Sequence, residues 1–226
     1  VELEQPQESM QRISLFPAED ELEKYLPLGM NSAFDEEFKF SPRDLILVGG
    51  RRGAGKSITC CNIANTVYES GKSAIYFTIE MDSREILQRC CSIATGVPHE
   101  RIRKRNLSVT EWGLVSAWWA NRFVNPEEKL KEYQDHQDFD RLHYDLKTNC
   151  ELLPTQQLDV VYDSSLTLSK IRAELDKKVK SAMDVGVIIV DYINQVKRSN
   201  LPSRAGQYDW TEQIEVSKAL KSMAQE

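Results

Sequence analysis

The chain has 226 residues, 41% hydrophobic and 28% charged, with a formal net charge of −6 at pH 7. That length supports one substantial core with room for an appendage, and the acidic balance argues against a protein that coats nucleic acid over its whole surface. No apolar run approaches the roughly 20 residues of a membrane helix, and the N-terminus lacks a charged-then-apolar signal pattern, so a cytoplasmic location and no membrane partner are expected.

Residues 1–41 are acidic and weakly patterned. They read as a linker or strap leading into a single α/β domain over residues 42–226. Within them, Asp20 to Leu26 reads as a short helix broken by Pro27 and Gly29. Phe34, Phe38 and Phe40 are apolar points for packing on a neighbouring surface. Next, Asp44 to Gly49 carries Leu45, Ile46, Leu47 and Val48 in a row and reads as a buried strand. Gly50-Arg51-Arg52-Gly53-Ala54-Gly55-Lys56-Ser57 follows and fits G-x-x-x-x-G-K-S/T at every fixed position. Glycines let several N–H groups converge on one phosphate chain. A lysine there sets a charge on the β- and γ-phosphates, and a serine hydroxyl reaches Mg²⁺. ATP and Mg²⁺ are therefore the expected cofactors. The apolar spacing of Cys60, Ile63, Ala64 and Val67 predicts the helix that such a loop requires.

Of the five cysteines, four form the adjacent pairs Cys60-Cys61 and Cys90-Cys91. Neighbours on a helix point about 100° apart, so the pairs read as buried thiols and not as metal ligands. Ser73 to Ile79 reads as a second core strand with Glu80 at its C-terminal end, where ligands of open α/β sheets bind. Two readings of Glu80 stand at this point: a base for the water that attacks the γ-phosphate, or a helix cap or surface acid beside Asp82 and Ser83. A helix is predicted over Ser83 to Ala94. Arg101 to Arg105 is a basic cluster, read as a solvated face. Thr110 to Phe123 is a further helix whose Trp112, Trp118 and Trp119 read as packing residues before a base-stacking platform.

Residues 125–157 are charged and polar and read as a helical insertion on the outside of the core, with His136 and His143 as exposed surface histidines. Leu158 to Tyr162 is a third strand. A helix over Thr167 to Lys180 follows from Leu168, Ile171, Leu175 and Val179. Gly186 to Asp191 is a fourth strand, apolar until its final acid, as buried parallel strands are. Paired with the upstream phosphate loop, Asp191 is a candidate Mg²⁺ ligand beside Ser57. Lys197 to Gly206 is a basic loop, and Trp210 onward is a helix with Val216, Ala219, Leu220 and Met223 on one face.

These pieces, in this order, resemble the DnaB-type hexameric replicative helicases, whose motor is a RecA-like ATPase domain. The resemblance covers most of Leu28 to Glu226. DLILVGGRRGAGKS looks like the family's first strand and Walker A loop. YFTIEM, Tyr76 to Met81, is similar to its strand ending in S-L-E-M, which implies Glu80 as catalytic base. VGVIIVDYINQV looks like the Walker B strand, with Asp191 on the magnesium. DVVYDSSLTLSKIRAELDKKV and EQIEVSKALKSMAQE resemble two further family stretches. The length of residues 125–157 points to a divergent, phage-encoded member, placed then in the host cytoplasm. The sequence stops before the family's next strand, so the fold is expected to lack its later strands, and the sensor glutamine, DNA loops and arginine finger have no assigned residues.

The resemblance implies ATP-driven translocation on single-stranded DNA, duplex unwinding and a homo-hexameric ring, with primase and a loader as partners. Lys197, Arg198 and Arg204 are the DNA-binding candidates, with solvated loop charge as the competing reading. A RecA- or RadA-type recombination ATPase and a nucleotide-gated assembly module without turnover are the alternative functions.

Overall fold

A computed structural model describes residues 25–41, 43–136, 138–197 and 210–226, and the side chains of all of these except 134–136, 210 and 211. The described chain runs β1 (Leu26–Pro27), α1 (Ser32–Glu37), β2 (Lys39–Phe40), α2 (Lys56–Glu69), β3 (Ser73–Thr78), α3 (Ser83–Thr95), α4 (His99–Arg103), α5 (Val109–Ala120), α6 (Glu127–His136), α7 (Phe139–Asn149), β4 (Leu158–Tyr162), α8 (Leu168–Lys180), β5 (Val185–Asp191) and α9 (Trp210–Gln225). β1 and β2 form a two-residue antiparallel ribbon, in which Leu26 pairs with Phe40. Leu26 is therefore extended; the rest of the helix expected over Asp20 to Leu26 lies outside the described residues, apart from Tyr25.

Continuous apolar runs, not alternation, mark the main sheet. Every residue of β3 is buried, as expected for a strand covered on both faces. It pairs in parallel with β4 on one side and β5 on the other. On one face Ala74, Tyr76, Leu158 and Ile189 meet Cys61 and Ala64 of α2 and Ile86 and Cys90 of α3. On the other, Ile75, Phe77 and Ile79 meet Ile171 of α8 and Val216 of α9. Each such fully buried large side chain contributes about 1.5–3 kcal/mol of transfer free energy. At Gly186 α2 lies very close to the sheet: a Cβ there would stand 2.7 Å from Val67 Cγ1.

The first expected strand does not form. Asp44 to Gly49 is irregular, with Leu47 70% and Ile46 44% exposed. Composition marks these residues as strand-like, but a strand exists only where a neighbouring edge satisfies its backbone groups. Among the described residues no strand pairs with this segment. Its start is held instead by Lys221 of α9, which donates to the Arg43 carbonyl at 2.8 Å and lies 3.7 Å from the Asp44 carboxylate.

Residues 125–157 form α6 and α7, whose Tyr133, Leu142 and Leu146 share a small core with Ala120 and Phe123. α5 is apolar nearly all round because it lies between two cores. Val115 and Trp118 pack toward α3 and α4, while Trp112 and Trp119 pack toward α6 and α7. The tryptophans thus pack, as read. The ends of the insertion meet: Val124 N–H donates to Glu151 O at 2.8 Å, and Leu153 N–H to Arg122 O at 3.0 Å. The Arg122 guanidinium lies over the Trp118 and Trp119 rings and donates to Leu158 O at 2.6 Å, tying this lobe to the start of β4.

His143 is not the exposed residue expected. It is half-buried, 4.9 Å ring to ring from Trp119, and burial first, then Lys147, lowers its pKa. The His136 side chain lies outside the described residues. The basic cluster is neutralised locally: Arg101 pairs with Glu111, Arg103 and Lys104 with Glu100, and Arg105 with Asp140, all within 2.8–2.9 Å.

Candidate nucleotide-binding site

The loop from Gly50 to Ser57 runs into the N-terminus of α2. Gly53 and Gly55 have φ of 77° and 87°, a left-handed conformation that glycine adopts without strain. Gly55 is the N-cap and offers no side chain. The first N–H groups of a helix lack partners within it, so here they are left for a ligand. Space is open as well: a Cβ at Gly53 or Gly55 would meet nothing within 4 Å. Lys56 folds back, its Nζ donating to Gly50 O and Arg51 O at 3.0 Å each. Arg51, Arg52 and Ala54 are exposed, and Ser57 is half-exposed on the first turn. The loop therefore offers open N–H donors beside a lysine and two exposed arginines, which suits a phosphate chain.

The two acids come from neighbouring strands. Asp191 ends β5 and is 9% exposed; it stands opposite Thr78 in the β3–β5 register. Its Oδ2 accepts a 2.7 Å hydrogen bond from the Tyr76 hydroxyl. It shares a sheet face with Tyr76 and Ile189, the face that packs on α2. Accordingly its charge reaches Cys60, one turn beyond Ser57: burial chiefly, then Asp191, pushes that thiol up to about 12. All five cysteines are free. The other carboxylate oxygen of Asp191, Oδ1, accepts no hydrogen bond from the described residues, whereas Oδ2 takes the Tyr76 bond. One free carboxylate oxygen near the helix turn that carries a serine hydroxyl is a donor set that fits Mg²⁺.

Glu80 lies two residues beyond β3, exposed and without a hydrogen bond or ion pair among the described residues. The capping alternative is taken by Asp82, whose Oδ1 accepts the Glu85 N–H at 2.9 Å. Of the DNA candidates, Arg198 and Arg204 lie outside the described residues. Lys197 is exposed, and its backbone is bridged to the turn before α8: its N–H donates to Leu166 O, and its O accepts from Leu168 N–H, both at 3.1 Å. Reading the sequence missed Tyr76. Its signal was a phenol hydroxyl at the middle of the strand, between Ser73 and Thr78 at its ends, and nothing in the strand pattern said which acid it would reach.

The family profile of the DnaB-like helicase C-terminal domain matches residues 31–226. The chain belongs to that family. A replicative DNA helicase DnaB from Buchnera aphidicola subsp. Baizongia pistaciae (strain Bp) is 26% identical over 186 residues, 82% of this chain and 33% of that protein. The chain thus spans about a third of the length of this curated relative. Two solved structures share the fold. One is an ATPase domain with a TM-score of 0.60 and 15% identity, covering 88% of this chain and 59% of that one. The other is a DnaB-like replicative helicase, described with its interactions with primase; its TM-score is 0.56 at 14% identity, covering 81% of this chain and 36% of that one. The fold class is thus α/β, RecA-like, with a parallel sheet flanked by helices. No described helix is long and apolar enough to cross a membrane.

Proposed function

We propose that this domain is the ATP-hydrolysing motor of a hexameric replicative DNA helicase that works in the cytoplasm. The observation that carries the reading is the open phosphate loop at the start of α2 with Asp191 on the sheet face against that helix. Membership of the DnaB-like family supports it.

In this reading Lys56 leaves the Gly50 and Arg51 carbonyls and takes up the β- and γ-phosphates, while the loop N–H groups hold the phosphate oxygens. Ser57 and Asp191 hold Mg²⁺, directly or through water. Bound Mg²⁺ supplies charge neutralisation on the phosphates. Glu80 orients and deprotonates the attacking water. ATP sits between subunits of a ring, an arginine of the neighbouring subunit completes the site, and turnover moves single-stranded DNA through the central hole. Lys197, Arg198 and Arg204 contact DNA phosphates there. Primase and a loader are the expected protein partners.

The test uses the intact protein with a forked duplex and ATP. Turnover stimulated by single-stranded DNA together with strand separation supports the reading. Strand exchange between homologous DNAs without unwinding would assign a recombination ATPase instead, and nucleotide binding without turnover would assign an assembly module.

A further inference from the structure

We propose that Tyr76 is a positioning residue for Asp191: its hydroxyl fixes one carboxylate oxygen and leaves the other aimed at the metal. The proposal rests on the reading of Asp191 as a Mg²⁺ ligand. Register explains the contact. Asp191 pairs with Thr78, so Tyr76, two residues earlier, lies diagonally across the same sheet face. Diagonal neighbours are about 7–8 Å apart and within reach of a long aromatic side chain.

The hydroxyl is not there for packing. Tyr76 is fully buried among Cys61, Ala74, Ile86, Cys90, Leu158 and Ile189. A phenylalanine would fill the same space with no polar group to satisfy, whereas a buried hydroxyl needs a partner. Asp191 Oδ2, at 2.7 Å, is the partner it has. The bond is directional: a phenol donates and an ionised carboxylate accepts. With Oδ2 fixed, the carboxylate loses a torsion before the metal arrives. Such outer partners of metal ligands typically change affinity or activity by about 10–100-fold.

The experiment measures Mn²⁺ affinity by electron paramagnetic resonance in the intact protein bound to ATPγS, for wild type, Tyr76→Phe, Asp191→Asn and the double variant. Circular dichroism checks that each folds; Tyr76→Met, flexible and also without a hydroxyl, replaces the Phe variant if that one does not. Tyr76→Phe should weaken Mn²⁺ by about 10-fold, and the loss should vanish in the Asp191→Asn background, since coupled residues are non-additive. The apparent KM for Mg²⁺ in turnover should rise while kcat at saturating Mg²⁺ changes little, a split that a merely packing role would not produce. If Asp191→Asn weakens Mn²⁺ and Tyr76→Phe does not, or if the Tyr76 effect is equal in both backgrounds, the positioning role is overturned and the metal site stands. If Asp191→Asn leaves Mn²⁺ affinity unchanged, the metal-site reading fails and takes the positioning role with it.

Discussion

Glu80 and Asp82 stand two residues apart and should fail in opposite ways. Glu80 is exposed and makes no hydrogen bond or ion pair among the described residues, so Glu80→Gln should alter stability by less than about 0.5 kcal/mol, as surface substitutions do. Its effect should fall on chemistry. A positioned general base contributes roughly 10²–10⁴-fold, which is about 3–5 kcal/mol of barrier at 1.36 kcal/mol per tenfold. Asp82 reverses the pattern. Its carboxylate accepts the Glu85 N–H at 2.9 Å and caps α3. Losing such a cap costs about 0.5–2 kcal/mol, and at this chain length each kcal/mol lowers Tm by about 2–4 °C. Turnover in Asp82→Ala should stay within a few-fold of wild type below its melting range. The assays are ATP turnover with and without single-stranded DNA, binding of a fluorescent ATP analogue, and thermal melting, all on the intact protein. Retained nucleotide binding with lost turnover in Glu80→Gln, beside a lowered Tm with retained turnover in Asp82→Ala, is the expected result. Equal loss of binding and turnover in Glu80→Gln, or near-normal turnover, would refute the base assignment.

Three further perturbations address other parts of the domain. Lys56→Ala removes the Nζ that now bonds Gly50 O and Arg51 O and, with it, the cation proposed for the β- and γ-phosphates. ATP turnover should be abolished and binding greatly weakened, as read by turnover and by titration with the fluorescent analogue. Gly186→Ala places a methyl 2.7 Å from Val67 Cγ1 and 2.9 Å from Lys72 Cβ; the overpacking should cost about 1–3 kcal/mol, measured by denaturant unfolding. Lys197→Ala with Arg198→Ala should weaken single-stranded DNA binding and flatten its salt dependence by up to about 1.4 units, at ~0.7 per phosphate contact; titrations at several salt concentrations with no change in slope or affinity would return the loop to scaffolding.

β3 was legible because a strand buried on both faces reads as a continuous apolar run, and all of it is buried; β4 and β5, largely half-buried on either side of it, were legible from Val160-Val161 and from the run Val187 to Val190. The helices α3, α8 and α9 were legible from their apolar stripes: Ile171 of α8 and Val216 of α9 lie on the predicted faces and are buried. α5 was legible as a helix but not as a shared wall. Its apolar residues surround it, and a helix buried on two sides has no stripe to indicate which side meets which core. The lobe formed by α6 and α7 read as polar surface for a related reason. Tyr133, Leu142 and Leu146 are few among many charges, yet they are the residues that meet Ala120 and Phe123.

The most instructive departure is Asp44 to Gly49, because it separates what a sequence encodes locally from what it encodes only through pairing. The phosphate loop needs nothing from the sheet to adopt its shape: left-handed glycines and a helix N-terminus are enough, and both occur at Gly53, Gly55 and Lys56. The segment before it is different. Leu45, Ile46, Leu47 and Val48 have the composition of a core strand, but composition cannot supply the edge to which their N–H and C=O groups would bond. So the loop is formed while the run that leads into it is not paired, and Leu47 faces solvent. The same contrast runs through the site. Ser57 and Lys56 are set by local chain geometry. Asp191 is set by the β3–β5 register, and the 2.7 Å bond from Tyr76 exists only because that register puts residue 78 opposite residue 191. A shift of one residue would turn every side chain of β5 to the other face and take Asp191 away from α2. The apolar pattern of β5 therefore holds more than a core: by fixing which face Ile189 occupies, it fixes where the carboxylate two residues later must point.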